Sequence, residues 1–184
     1  MILNEKLQII IEFHPFYQSL NKRIMEEYLG IGFPNTNKTN VKAKMSHWNL
    51  GDLDMPSVHD VGVWAINLVQ SNWVSCRHGM TMRDIWIASY DKEDYAIKHD
   101  HIPTCFSFVY FVKCPRRSSP LIFNTSGKRI KAEEGKMVLF PSVMKHEVPR
   151  NNCEDRIVIA GNIEPVNKNI GKKFLSTDIT ELKW

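Results

Sequence analysis

The chain has 184 residues, 43% of them apolar and 24% charged. That balance fits one globular domain, spanning 1–184, with a sizeable core, and would make two independent domains unusually small. The formal net charge of +4 is scattered, apart from Lys168, Lys172 and Lys173 near the end, so nucleic acid is permitted as a partner but not indicated. No run approaches the roughly eighteen apolar residues of a membrane-spanning helix, so no membrane partner is expected.

The opening stretch, MILNEKLQIIIEF, carries acidic residues and no small-residue cleavage site. Cys76, Cys105, Cys114 and Cys153 are widely spaced and form no CxxC pair, so a reducing cytoplasm is the expected setting. Leu7 to Phe13 reads as a strand, ended by His14-Pro15. From Phe16 the period changes: Phe16, Leu20, Ile24 and Tyr28 form one helical stripe, with Gly30 as its stop. Gly32 to Lys44 is polar, broken by proline and asparagines, and reads as a loop. His47-Trp48 is a surface pair or part of an entrance. A second helix begins at Pro56-Ser57, where Ser57 and Asp60 have the spacing of a capping box, and runs to about Gln70 through Val61, Trp64, Ala65 and Leu68.

Ser71 to Met82 reads as a second loop. From Asp84 onward the chain becomes a series of short strands separated by turns: Asp84 to Tyr90, Tyr95 to His101, Phe106 to Val112, Leu121 to Phe123, Lys136 to Phe140 and Arg156 to Ile163. Turns at near-regular spacing are the mark of an all-β sandwich or barrel. The first 90 residues would then supply helical support and first strands, and 91–166 the barrel core. Asn167 to Trp184 is polar, with one weak strand candidate at Lys173 to Leu175.

Chemistry concentrates in this second half. In DYAIKHDHIP, strict alternation places Tyr95, Ile97, His99 and His101 on one face and Ala96, Lys98 and Asp100 on the other. His146 follows GKMVLFPSVMK, where Gly135 makes a turn, an apolar strand descends and Pro141 fixes the exit. Two imidazoles and a third donor on one face of a metal leave positions open for reactants. His99, His101 and His146 form the preferred ligand set, with Asp100 as a competing ligand if a strand irregularity turns it inward. Arg156 opens the apolar run RIVIAGNI, where a buried guanidinium needs an anionic partner: a dicarboxylate, or its neighbours Asp155 and Glu154. Tyr95 and Tyr110 are candidate hydroxyl donors to the same ligand. Phe106, Phe108 and Leu139 are candidates for an apolar lining.

The segment from Tyr95 to Ile163 resembles the non-haem Fe(II)- and 2-oxoglutarate-dependent oxygenases, and within them the small bacterial and phage members of the prolyl-hydroxylase-like group. His99, Asp100 and His101 stand where that family has histidine, a spacer and usually aspartate, so histidine occupies the position of the acid. His146 matches the distal histidine and Arg156 the basic residue that binds 2-oxoglutarate. The resemblance covers about the last 90 residues well and the first 90 only in layout. It implies a double-stranded β-helix (jelly roll) supported by N-terminal helices, with Fe(II) as cofactor and with 2-oxoglutarate and dioxygen as co-substrates. It implies hydroxylation of an unidentified substrate, which could be a protein or peptide residue or a small molecule. Two other readings stay open on the residues alone. One is a cupin-type metalloenzyme that does not use 2-oxoglutarate, and the other is a jelly-roll module without activity. A nucleic-acid-directed oxygenase would need Trp48, Trp73, Arg77 and Arg83 to meet at the entrance.

Overall fold

A computed structural model of the chain describes residues 7–30, 39–52, 54–73 and 79–166. Two antiparallel sheets form a double-stranded β-helix. Strands β1 (Ile10–Phe13), β3 (Lys44–Met45), β4 (Met80–Tyr90), β6 (Phe106–Lys113), β9 (Lys136–Pro141) and β11 (Arg156–Pro165) make the larger sheet, in the order β1-β9-β6-β11-β4-β3. Strands β2 (Val41–Lys42), β5 (Tyr95–His99), β7 (Leu121–Phe123), β8 (Lys128–Ile130) and β10 (His146–Val148) make the smaller one, in the order β2-β5-β10-β7-β8. Helices α1 (Tyr17–Tyr28) and α2 (Pro56–Asn72) cover the outer face of the larger sheet.

The central strands of the larger sheet are buried on both faces. This is why they read as continuous apolar runs, with the alternation hidden inside them. In β11, Ile157, Ile159 and Ile163 join Val58, Val61 and Ile66 of α2 in the outer core. Val158 and Ala160 face the opposite way, into the core between the sheets, with Phe111, Val138 and Phe140. Phe106, Phe108 and Leu139 belong to the helix-side core, and Phe108 alone of the three also reaches the inner cavity. The inner lining is instead Trp86, Ala88, Val109, Phe140, Val158 and Ala160.

Several expectations are corrected at the ends of elements. Phe16 lies before α1 and is 72% exposed, so the buried stripe is Leu20, Asn21 and Ile24. Helix α1 ends at Tyr28, with Leu29 as its last cap. Helix α2 has no side-chain cap of its own; Ser57 sits inside its first turn, and its N–H donates to the Glu27 carboxylate of α1 at 3.0 and 3.2 Å. A carboxylate from the neighbouring helix thus does the work assigned to Ser57 and Asp60. The loop read over Gly32 to Lys44 ends in β2 and the start of β3, while 31–38 lie outside the described residues. β4 starts at Met80, four residues before the predicted strand, and 74–78, with Cys76 and Arg77, are outside the description. The strand candidate at Lys173 to Leu175 is also outside it. Gly135 has φ of +81°, and a Cβ there would lie 2.4 Å from the Tyr17 ring, so this turn requires glycine for both backbone and space. Among the described residues, no helix is long and apolar enough to cross a membrane.

Candidate metal centre

The smaller sheet builds the cluster. His146 of β10 and His99 of β5 are direct cross-strand partners, so their side chains emerge side by side. Their ring centroids are 4.4 Å apart. The next matched pair is Val148 with Ala96, which sets two residues of β5, Ile97 and Lys98, against Glu147 alone. This is a β-bulge, and it reverses the alternation of β5. Ala96 is therefore buried in the inner core, Ile97 is 43% exposed, and His99 again faces inward. The predicted face of Tyr95, Ile97 and His99 does not exist. Tyr95 does not line the cavity, and its ring stacks instead under the Arg150 guanidinium at 4.9 Å.

His101 follows the end of β5. Its ring lies 4.9 Å from that of His99 and 5.1 Å from that of His146, centroid to centroid. One nitrogen from each of the three rings lies within 4.8 Å of the others. Asp100 is outside this group; its Oδ1 accepts the Ile102 N–H at 3.4 Å, and the side chain lines an outer chamber. Geometry therefore favours His101 over Asp100 as the third donor.

Two of the rings are oriented by backbone carbonyls. His99 Nδ1 lies 2.6 Å from the Ile97 oxygen and His146 Nδ1 lies 2.9 Å from the Met144 oxygen. A carbonyl only accepts, so each Nδ1 carries the proton and each Nε2 presents its lone pair. Burial keeps the rings uncharged. His101 is pushed down to about 3 by burial and then by its two histidine neighbours. His146 is pushed down to about 4, mainly by burial and then by His99. His99 is lowered by burial against the opposing pull of the Ile97 carbonyl and Asp100. Three neutral imidazoles facing one point are a donor set for a divalent transition metal.

A chain of buried hydroxyls holds the His101 turn. The His101 N–H donates to the Ser142 carbonyl at 2.9 Å, and the Thr104 hydroxyl donates to the His101 carbonyl at 2.7 Å. Ser142 Oγ lies 2.8 Å from both Thr104 Oγ1 and Ser107 Oγ. The Ser107 hydroxyl reaches Asn162 Oδ1 at 2.9 Å, and Asn162 Nδ2 donates to Asp84 at 3.1 Å.

Arg156, the first residue of β11, lines the same cavity as the three histidines. It is 1% exposed. Its Nε donates to the Ser119 carbonyl at 3.1 Å, while Nη1 is buried without a hydrogen-bond partner among the described residues. Neither Asp155 nor Glu154 neutralises it; Asp155 pairs with Lys113 at 3.1 Å. The guanidinium lies over the rings of Tyr90, at 4.6 Å, and Phe111, at 5.4 Å. Burial lowers its proton affinity, opposed first by Tyr90, and an arginine keeps its charge even so. A buried charge with an unused donor fits an anionic ligand.

Tyr110 is not part of this cavity. It faces the helices, donating its hydroxyl to Asn21 Oδ1 at 2.6 Å. Tyr90, Trp86 and Asn162 are the residues that reasoning from sequence missed. Alternation back from Arg156's partner in the register, Tyr90, would have found Trp86 on the same face of β4, and alternation forward from Arg156 would have found Asn162. Of the four residues considered for a nucleic-acid entrance, Trp48 and Arg83 line the outer chamber, and Trp73 packs on Phe106 at 4.6 Å.

No protein-family model matches the sequence, and no curated protein matches it. Solved structures do match the fold. A viral collagen prolyl hydroxylase from Paramecium bursaria Chlorella virus-1, in complex with 2-oxoglutarate, superposes with a TM-score of 0.69 at 12% identity, over 86% of this chain and 96% of that one. A Pseudomonas putida prolyl-4-hydroxylase gives 0.61 at 16% identity, over 86% and 92%. HygX from Streptomyces hygroscopicus, with nickel, 2-oxoglutarate and hygromycin B bound, gives 0.61 at 10% identity, over 85% and 82%. The chain thus has the double-stranded β-helix fold of the prolyl hydroxylases and 2-oxoglutarate-binding proteins it matches, with a cluster of three histidines inside it.

Proposed function

We propose that the chain is a non-haem Fe(II) oxygenase that couples decarboxylation of 2-oxoglutarate to hydroxylation of a second substrate. One observation carries this reading: three neutral imidazoles converge in the same buried cavity as an arginine whose Nη1 has no hydrogen-bond partner among the described residues. His99, His101 and His146 would hold the metal. Arg156 would take the distal carboxylate of 2-oxoglutarate, with Tyr90 beneath the guanidinium. Iron bound here with 2-oxoglutarate and dioxygen supplies the oxidising power for oxygen insertion, yielding succinate and CO2.

The chain's own residues do the rest. The Ile97 and Met144 carbonyls fix the rings of His99 and His146, so no proton competes for their inward nitrogens. Trp86, Val109, Phe140 and Val158 keep bulk water from the reacting centre. Hydroxylation of a protein or peptide residue is favoured by likeness to the prolyl hydroxylases. We place the protein in the cytoplasm, a setting suited to the reduced thiols of Cys114 and Cys153 among the described residues.

The test is an anaerobic Fe(II) titration followed by 2-oxoglutarate. A visible charge-transfer band that needs both additions and vanishes in His146→Ala is the expected result. Tight metal binding without any response to 2-oxoglutarate would point to a cupin-type enzyme, and no metal binding would overturn the proposal.

A further inference from the structure

The outer chamber, of about 230 Å³, shares His99, His101, Trp86 and Val41 with the inner cavity. Anything that enters it therefore meets the histidine cluster. Its walls are chemically uneven. Trp48 is 49% exposed and stacks on Trp86 with ring centroids 5.5 Å apart, so one indole is braced by the other and leaves a face open. Among the described residues, three charged side chains line the chamber: Arg83, Asp84 and Asp100. The first two are matched. Arg83 bonds Glu164 at 3.3 Å and lies 3.7 Å from Asp84, which also accepts from Asn162 at 3.1 Å. Asp100 makes no ion pair among the described residues and accepts a single long hydrogen bond from Ile102.

Asp100 is thus the charged group facing the chamber that no described side chain pairs. A carboxylate and an open indole face lining one chamber are the groups that select an organic cation over its neutral counterpart.

We propose that this chamber receives a substrate bearing an aliphatic ammonium or guanidinium group, held by the Asp100 carboxylate and the Trp48 ring. Calling this molecule a substrate rests on the oxygenase reading; the binding preference does not. The histidine in place of the usual acid thus has a counterpart: the carboxylate beside it serves recognition instead of metal binding.

The test uses nitrogen-15-labelled protein loaded with diamagnetic zinc and 2-oxoglutarate at pH 7, titrated with n-pentylammonium, n-pentanol and pentanoate while the Trp48 and Trp86 indole N–H signals are followed. The ammonium ion should bind about tenfold more tightly than the alcohol, as one charge-assisted contact requires, and pentanoate should bind most weakly. Asp100→Asn should bring amine and alcohol within about twofold of each other. Trp48→Leu, read on Trp86, should lower the preference about two- to fivefold, the worth of an exposed cation–π contact. Equal binding of amine and alcohol by the unaltered protein, or a preference that survives Asp100→Asn, would overturn the proposal. Oxygen-dependent consumption of 2-oxoglutarate is measured in parallel on the Fe(II)-loaded protein with n-pentylammonium present. Preference without consumption would sink the oxygenase reading alone, and consumption without preference would sink this inference alone.

Discussion

Arg156 places a full charge where 1% of its surface meets solvent, with one of its terminal nitrogens unpaired among the described residues. Such a group destabilises an empty fold unless a ligand completes it. Replacing it with an apolar residue of similar length removes both the desolvation cost and the binding group. Arg156→Met should therefore keep its urea-denaturation stability within about 1 kcal/mol of the unaltered protein. In the same variant, the 2-oxoglutarate affinity of the metal-loaded protein should fall by at least about thirtyfold. Loss of both together in one set of titrations would make Arg156 a structural residue. The charge and the apolar run after it were readable from RIVIAGNI. Its actual surroundings, the Ser119 carbonyl and the Tyr90 ring, come from distant segments and left no local mark.

At the scale of the element, the His101 turn depends on β9 and the residue after it. Ser142 takes the His101 N–H on its carbonyl and contacts Thr104 and Ser107 through its hydroxyl. Ser142→Ala leaves two buried hydroxyls short of a partner and loosens the third imidazole. It should weaken metal binding by about ten- to a hundredfold, as loss of supporting contacts around metal ligands does, measured by competition with a chelator. Helix α2 offers a second case. Glu27→Ala should cost about 1 kcal/mol in urea denaturation, because it strips the N-terminal carboxylate from a helix in another part of the chain. Ser57 and Asp60 had the right spacing for a capping box, but Pro56 already occupies the first helical position, which puts Ser57 too far inside to cap. Strand β5 shows the same limit. His99-x-His101 was legible as a pair, but the bulge at Ile97 and Lys98 is a property of pairing with β10, so the outward turn of Tyr95 was not. Tyr110 failed for a related reason: β6 is apolar on both faces, and nothing local tells the helix side from the inner side.

Across the whole molecule, the candidate site joins the two sheets. His99 and His146 belong to the smaller sheet, and Arg156 and Trp86 to the larger. A ligand that touches both should resist their separation. At a hundredfold excess over its dissociation constant, 2-oxoglutarate should add about 2.7 kcal/mol to stability. The rise in melting temperature should appear only with metal present and be absent in Arg156→Met; calorimetry reads both. The jelly roll itself was legible because turn residues punctuate the second half at short intervals, and the helices because the period changes after Pro15 and Pro56. The stacked pair of tryptophans has one more consequence. Trp86 sits 6.1 Å from the His101 ring and 5.5 Å from Trp48, centroid to centroid. An open-shell ion held by His101 would drain the excited state of Trp86 and, by energy transfer through the stack, that of Trp48. The protein thus carries its own optical gauge of occupancy: its emission should dim as iron fills the site and stay bright with zinc.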